Sequence, residues 1–208
     1  MKPLLICDCD EVLLHMIRHF GVWLGEEHAI DVTLGAGDML KAMKRRDGGP
    51  DLTIDDMRRY LDLFFPAEMH RQTLVPGADA ALAALGEIAD IVILTNLAEH
   101  NVVPRTQQLA QHGMAVRVEW NQGGKGDPVA RLVAEHGNPV TVFVDDLAVH
   151  HESVAKHAPQ VHRLHMVAEP QLAPHVPPAP AAHARIDDWR TAQDWIAARF
   201  AAGLPATA

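Results

Sequence analysis

The sequence is short of cysteine, of long apolar runs and of positive charge. Its 208 residues include two cysteines, Cys7 and Cys9, which lie too close together on one predicted strand to form an unstrained disulfide. We therefore expect reduced thiols and a cytoplasmic protein. No uninterrupted apolar stretch approaches the ~18 to 20 residues of a transmembrane helix, so we expect no membrane partner and no targeting segment.

The balance of charge favours a small-molecule partner. The formal net charge is -9, and nucleic-acid binding needs a cationic surface that displaces condensed counterions. We therefore expect no nucleic-acid partner, while nothing in the composition sets the oligomeric state. With 48% hydrophobic residues, a chain of this length can bury one full core and a small additional module.

Short apolar runs alternate with helical patterns along most of the chain. The runs predict strands at 4–9, 90–95, 115–118, 140–145 and 161–167. The patterns predict helices at 78–88, 104–112, 128–136 and 147–157, with Asp127 as the cap before Pro128, and a last helix capped by Asp187 or Asp188. This alternation indicates an α/β protein with a doubly wound, Rossmann-like parallel sheet.

Two segments interrupt the alternation. Residues 13–75 contain three helical patterns and no clear strand, so we predict a small helical cap there, inserted into a core domain of residues 1–12 and 76–208. Thr53, followed by Asp56, is typical of a helix start. Residues 168–184 are rich in proline, alanine and histidine, and this composition predicts a loose, flexible connection.

Polar residues follow the predicted strands where parallel sheets bind their ligands. Asp8 and Asp10 end the first strand, Thr95 ends the second, and the pair Asp145 and Asp146 ends the fourth; Lys125 precedes a helix. Residues two apart on a strand share a side, so the carboxylates of Asp8 and Asp10 should converge. Several carboxylates at one sheet edge repel each other unless cations intervene, and Mg²⁺ prefers such hard oxygen ligands.

These residues form four ordered motifs that resemble those of the haloacid dehalogenase-like superfamily. They are Ile6-Cys7-Asp8-Cys9-Asp10-Glu11-Val12, Ile93-Leu94-Thr95-Asn96, Lys125-Gly126-Asp127-Pro128 and Val142-Phe143-Val144-Asp145-Asp146. Any one of them would be a weak signal, but four in order at strand ends are specific.

The resemblance implies a role for each motif residue. Asp8 would be the nucleophile that forms an aspartyl-phosphate, and Asp10 the general acid and base. Thr95, with Asn96 close by, would bind a phosphoryl oxygen, and Lys125 would neutralise the charge. Mg²⁺ would be held by the carboxylates of Asp8, Asp145 and Asp146 and by the backbone carbonyl of Asp10. The implied function is hydrolysis of a small phosphorylated metabolite.

Three alternatives stay open at this stage. A phosphomutase shares the same acids, whereas a dehalogenase would not need Asp10. A phosphate-binding or regulatory member without turnover is the third. The sequence also departs from the family pattern at Glu11, where glycine is common, so Glu11 must adopt a glycine-like backbone or change the turn.

The remaining polar candidates lie outside the motifs. His15 and Arg18 share a face of the first predicted cap helix, opposite its apolar stripe, and we predict that they help to bind the substrate. The sequence has fourteen histidines, but neither His150 nor His151 has a recognised metal-ligand spacing, and we expect both to be surface residues.

Overall fold

The computed structural model describes residues 1–35 and 39–207. The strands are Leu4–Cys7 (β1), Leu14–His15 (β2), Ile30–Val32 (β3), Met43–Arg45 (β4), Thr73–Leu74 (β5), Asp90–Asn96 (β6), Arg117–Asn121 (β7), Thr141–Asp145 (β8), His162–His165 (β9) and Ala184–Arg185 (β10). The α-helices are Ile17–His28 (α1), Met39–Ala42 (α2), Ile54–Glu68 (α3), Ala78–Ile88 (α4), Val102–Gln111 (α5), Gly126–Glu135 (α6), Ala148–His157 (α7) and Trp189–Ala202 (α8). Among these described helices, none has the length and apolar character needed to cross a membrane.

Six strands form one sheet in the order β10-β9-β8-β1-β6-β7, and every neighbouring pair is parallel. Side chains of α4, α5 and α8 pack on one face, and side chains of α6 and α7 pack on the other. The predicted doubly wound α/β fold is therefore confirmed. β1 lies between β8 and β6, so the carboxyl ends of these three strands meet at one edge.

The central position of β1 explains its uninterrupted apolar sequence. Leu5 and Cys7 point into the core on one face, and Leu4 and Ile6 point into the core on the other. A strand covered on both faces needs apolar residues at every position. Cys7 and Cys9 are free and buried.

Most buried apolar side chains of residues 13–75 pack in one aromatic-rich core, which also includes Leu97. Phe20 stacks on Trp23 within that core, and Phe64 meets the first ring edge-on and the second at a tilt, so α1 packs against α3. Thr53 and Asp56 form the predicted capping box of α3. The expectation of no strand is wrong, because β3 pairs with β4 and β2 pairs with β5, both antiparallel. Strands of two or three residues are too short to show a period of two. The division into a core and a cap stays a prediction.

Two predicted element boundaries are corrected. The third strand of the core was expected at 115–118 and lies at Arg117–Asn121. Helix α6 begins at Gly126, so Lys125 is its N-cap residue and the expected cap, Asp127, lies inside the first turn. Pro128 also falls in that first turn, where a missing backbone N–H costs no helical hydrogen bond.

Residues 168–184 contact the core in a way that their composition does not predict. The Nδ1 of His165 accepts a hydrogen bond from the Ala179 amide, and the Nε of Arg163 donates to the Ala181 carbonyl. The segment leads into β10, which the sequence did not reveal. Asp188 then caps α8, as one of the two expected residues, and the indole of Trp189 donates to the Val12 carbonyl at 2.8 Å.

Candidate active site

The predicted strand-end residues converge at the carboxyl edge of β8, β1 and β6. Asp8 follows β1, Thr95 lies near the end of β6, and Asp145 is the last residue of β8. The N-terminus of α6 brings Lys125 to the same edge. The parallel topology therefore assembles four residues that lie far apart in the sequence.

Lys125 is the fully buried centre of this group. Its Nζ lies 2.9 Å from the Oδ1 of Asp8 and 2.7 Å from the Oδ2 of Asp145. Burial alone would lower the pKa of Lys125, but the charges of Asp145 and Asp8 outweigh it and raise the pKa above its usual value. The lysine is therefore a permanent ammonium that holds two carboxylates in place.

The two carboxylates respond differently to burial. Burial raises the pKa of Asp8 to about 7, against the opposing charge of Lys125. Burial would also raise the pKa of Asp145, but the charge of Lys125 holds it below its usual value. The Oδ1 of Asp145 accepts from the Leu147 amide, and the Oδ1 of Asp8 accepts from the Cys9 amide at 2.7 Å. Each carboxylate thus has one oxygen fixed by the backbone.

Asp146 completes a group of three carboxylates suited to a metal ion. One oxygen each of Asp8, Asp145 and Asp146 lie within 4.8 Å of one another. Burial, with the charges of Asp145 and Asp8, raises the pKa of Asp146 well above its usual value. Three carboxylates against one ammonium leave negative charge that a divalent cation would neutralise, and the all-oxygen donor set fits Mg²⁺.

Thr95 contributes a hydroxyl that has no protein partner. Its Oγ1 is buried and makes no hydrogen bond, and the residue lines the same cavity as Asp8. Asn96, in contrast, belongs to a network: its Nδ2 donates to the Gly123 carbonyl, and its Oδ1 accepts from Asn121. Buried hydroxyls are rarely left unpaired, so the Thr95 hydroxyl is consistent with a ligand group bound there.

Asp10 faces a buried arginine that the sequence did not reveal. The Nη2 of Arg105 lies 2.9 Å and 3.1 Å from the two carboxylate oxygens of Asp10, and the Nε2 of Gln72 donates to Oδ1 at 2.7 Å. The carboxylate is thus held from two sides. A signal was present in α5, since Arg105 lies on the same buried helix face as Gln108 and Leu109. A charged residue on an otherwise buried face needs a buried partner.

Comparison with known proteins gives a likeness in structure only. Neither a protein-family model nor a curated protein matches the sequence. A haloacid dehalogenase-like hydrolase from Streptococcus pneumoniae superposes with a TM-score of 0.64 at 11% identity, over 94% of this chain and 98% of that one. A magnesium-bound HAD-hydrolase from Bacillus subtilis gives 0.62 at 14% identity, over 94% and 98%. A predicted phosphoglycolate phosphatase from Haemophilus somnus gives 0.62 at 14%, over 93% and 97%.

The chain has the haloacid dehalogenase-like fold. The resemblance that the four motifs predicted is therefore confirmed at the level of the fold, over nearly the whole length of the chain. The sequence identity is low, so the chemistry must be argued from this protein's own residues.

Glu11 adopts a glycine-like backbone in the turn after Asp10. Its φ is 61°, in the left-handed region that glycine adopts without strain. The side chain is buried and turns back on the chain, where its Oε1 accepts from the amides of Met16 and Ile17 at 2.8 Å and 2.6 Å. The carboxylate therefore caps the N-terminus of α1, and burial raises the pKa of Glu11 to about 7.

His15 and Arg18 both face the buried Glu169. The Nε of Arg18 lies 2.6 Å from the Oε2 of the buried Glu169, and the Nδ1 of His15 lies 3.6 Å from the same oxygen. Neither residue lines the cavity that contains Asp8. Glu11, His15 and Glu169 also have the spacing of a metal site, but the Arg18 guanidinium already supplies positive charge to Glu169.

The expectation that His150 and His151 are surface residues is wrong. His150 is buried and lines the cavity, and His151 is fully buried. The Nε2 of His151 donates to the Asp145 carbonyl at 3.0 Å, and the Nε2 of His165 donates to the Asp146 carbonyl at 2.8 Å. Burial lowers the pKa of His151 to about 4, so the imidazole is neutral. His151 and His165 therefore position the backbone of Asp145 and Asp146.

A cavity of about 410 Å³ opens above the carboxylates. Its polar floor contains Asp8, Asp10, Thr95, Asn96 and Asp146. Its walls come mainly from the 13–75 segment, with a smaller part from the 168–184 segment, and they are mostly apolar. The cavity therefore joins the motif residues to the 13–75 segment, as a substrate pocket would.

Proposed function

We propose that the protein is a magnesium-dependent phosphatase that hydrolyses a small phosphate monoester through an aspartyl-phosphate on Asp8. The observation that carries the proposal is the ammonium of Lys125, bonded to both Asp8 and Asp145 beside the unpartnered hydroxyl of Thr95. This arrangement offers a nucleophile, a fixed positive charge and a free donor to one phosphoryl group. A small phosphorylated metabolite is the corresponding substrate.

The metal would be held by the carboxylates of Asp8, Asp145 and Asp146, together with the backbone carbonyl of Asp10. When bound, Mg²⁺ supplies positive charge that stabilises the phosphoryl oxygens. His151 and His165 support this role indirectly, because their hydrogen bonds fix the carbonyls of Asp145 and Asp146. Partners of this kind keep metal-binding side chains in the required orientation.

The reaction needs two displacements at phosphorus. A carboxylate oxygen of Asp8 attacks the phosphorus, and the bond to the leaving alkoxide breaks while Asp10 gives it a proton. A water then attacks the phosphorus of the aspartyl-phosphate, and Asp10 takes the proton. The bond between phosphorus and the Asp8 oxygen breaks, which releases inorganic phosphate and restores the carboxylate. In both steps the Lys125 ammonium offsets the negative charge of the phosphoryl oxygens, and the Thr95 hydroxyl donates a hydrogen bond to one of them.

Arg105 is a positioning residue in this scheme. It is fully buried and contacts both oxygens of Asp10, while Gln72 holds one of them from the other side. Proton transfer requires the carboxylate within hydrogen-bonding distance of the leaving oxygen, so a fixed orientation favours both steps.

We also propose that residues 13–75 act as a cap on a core of residues 1–12 and 76–208. The support is the cavity itself, whose floor belongs to the strand ends and whose walls include side chains of α1 and α3. A cap of this kind would exclude water from the reacting phosphoryl group.

Hydrolysis of p-nitrophenyl phosphate tests the proposal. The protein should release inorganic phosphate with Mg²⁺ and lose this activity on chelation, and added Mg²⁺ should restore it. The Asp8→Asn variant should be inactive, because an amide oxygen is not a competent nucleophile. Asp194→Asn, at an exposed position of α8, is the matched control and should retain full activity.

Two results would contradict the proposal. One is hydrolysis that survives exhaustive chelation, and the other is turnover by Asp8→Asn at the rate of Asp194→Asn. Assays for halide release from 2-haloacids and for phosphate transfer between sugar phosphates separate the dehalogenase and phosphomutase alternatives.

A further inference from the structure

The cavity above Asp8 has an apolar wall opposite its polar floor. Ile17 and Phe20 of α1 and Met57, Leu61 and Phe65 of α3 line it on one side. Leu172, from the 168–184 segment, lines it as well. The part of a phosphate ester that lies beyond the phosphoryl group would contact these side chains.

The described residues that line this cavity include no lysine and no arginine. Arg18 is bound to Glu169 and opens onto a separate groove, and Arg105 is buried behind Asp10. The charged side chains that do line the cavity are carboxylates, with Glu11 beside Asp10. A second anionic group on the substrate would therefore lose its hydration without gaining a counter-charge.

Methionines give the apolar wall an adaptable shape. Three methionines line the cavity: Met16 just before α1, Met39 in α2 and Met57 in α3. Unbranched thioether side chains fill irregular space and accommodate apolar groups of different outline. The wall can therefore contact apolar groups of several shapes.

We propose that the substrate is a phosphate monoester of an apolar alcohol, aliphatic or aromatic, that carries no second charged group. This inference rests on the proposed phosphatase activity. Burial of each methylene of such an alcohol against the wall should raise kcat/KM by up to about fourfold. Small polar esters with a second phosphate or carboxylate should be poor substrates.

A series of n-alkyl phosphates tests this inference against phosphoglycolate and glycerol phosphate. We expect kcat/KM to rise from ethyl through hexyl phosphate and to exceed that of both polar esters by at least about tenfold. A flat series, or a preference for the polar esters, would overturn the inference and leave the phosphatase proposal intact. Failure of every ester with Mg²⁺ would overturn the phosphatase proposal instead.

Binding of n-alkylphosphonates, measured by calorimetry with Mg²⁺, tests the apolar wall without turnover. Affinity should rise with chain length, and affinity that is independent of chain length would overturn the inference whatever the activity. Leu61→Gln should remove most of the gain per methylene. Leu63→Gln, on the same helix at a side chain that is 50% exposed, is the matched control and should keep the gain. Equal slopes in the two variants would mean that α3 does not contact the alkyl chain.

Discussion

Replacement of Glu11 by glycine separates two effects that oppose each other in the turn after Asp10. Glycine relieves the left-handed backbone, since Glu11 has a φ of 61°. The same change removes the carboxylate that accepts from the amides of Met16 and Ile17 at the start of α1. The stability of the variant therefore depends on which effect is larger.

The hydrogen bonds should outweigh the strain. Bonds to a charged acceptor contribute about 1.5–3 kcal/mol each, and we take the lower end because burial raises the pKa of Glu11 to about 7. Two bonds then give about 3 kcal/mol. Relief of the left-handed backbone returns about 1 kcal/mol, part of which is offset by the greater freedom of glycine in the unfolded chain. Glu11→Gly should therefore lose about 2–3 kcal/mol of unfolding free energy.

Urea unfolding of three variants tests this ranking. Glu11→Ala loses both bonds and keeps the strain, so it should be less stable than Glu11→Gly by up to about 1 kcal/mol. Glu11→Gln keeps one acceptor oxygen and should be the least affected of the three. A Glu11→Gly protein as stable as the wild type would refute this ranking. Relief of the left-handed backbone would then be as large as the loss of the two hydrogen bonds.

Three further changes address the site. Arg105→Met should lower the unfolding free energy by about 3 kcal/mol, because it leaves the Asp10 carboxylate without its buried partner. Gly126→Ala should cost about 1–3 kcal/mol and reduce phosphatase activity, since a Cβ there would overlap the carbonyl group of Ser153 in α7. Asp10→Asn should slow phospho-enzyme formation more for alkyl than for aryl phosphates, because a poor leaving group needs the proton more.

The first two changes have control variants, and each of the three has a result that would count against it. Arg58→Met disrupts an exposed ion pair with Asp55 and should have a far smaller effect on urea unfolding than Arg105→Met. Gly86→Ala, in α4, meets its nearest atom at 3.7 Å and should be neutral or slightly stabilising. If Arg105→Met and Arg58→Met lost equal unfolding free energy, the argument from the buried ion pair would be wrong. If Gly126→Ala and Gly86→Ala lost equal unfolding free energy, the argument from close packing would be wrong. Equal single-turnover losses on alkyl and aryl phosphates would show that Asp10 is not the general acid.

Local sequence was sufficient for the elements that bury long apolar runs. The predicted helix at 78–88 matches α4, and β1, β6 and β8 lie where continuous apolar residues indicated them. Several consecutive or regularly spaced residues of each element are buried in the core. Its apolar sequence pattern is therefore long enough to be recognised. The convergence of Asp8, Thr95 and Asp145 followed from the parallel order of those strands.

Features that depend on distant contacts did not show in the sequence. Arg105 meets Asp10 across 95 positions, and no local pattern encodes that pairing. His151 and His165 are buried because they donate to the carbonyls of the acidic pair, whereas histidine by itself favours neither surface nor core. β10 has two residues and is held by its neighbour β9, so it has no periodicity of its own.

The central claim is that a phosphoryl group is transferred to Asp8. Rapid-quench mass spectrometry during turnover of p-nitrophenyl phosphate with Mg²⁺ tests it most directly. We predict a phosphorylated peptide that contains Asp8, formed as fast as nitrophenol is released in the first turnover and absent from Asp8→Asn. Nitrophenol release without a covalent adduct, or an adduct on a different residue, would contradict the account.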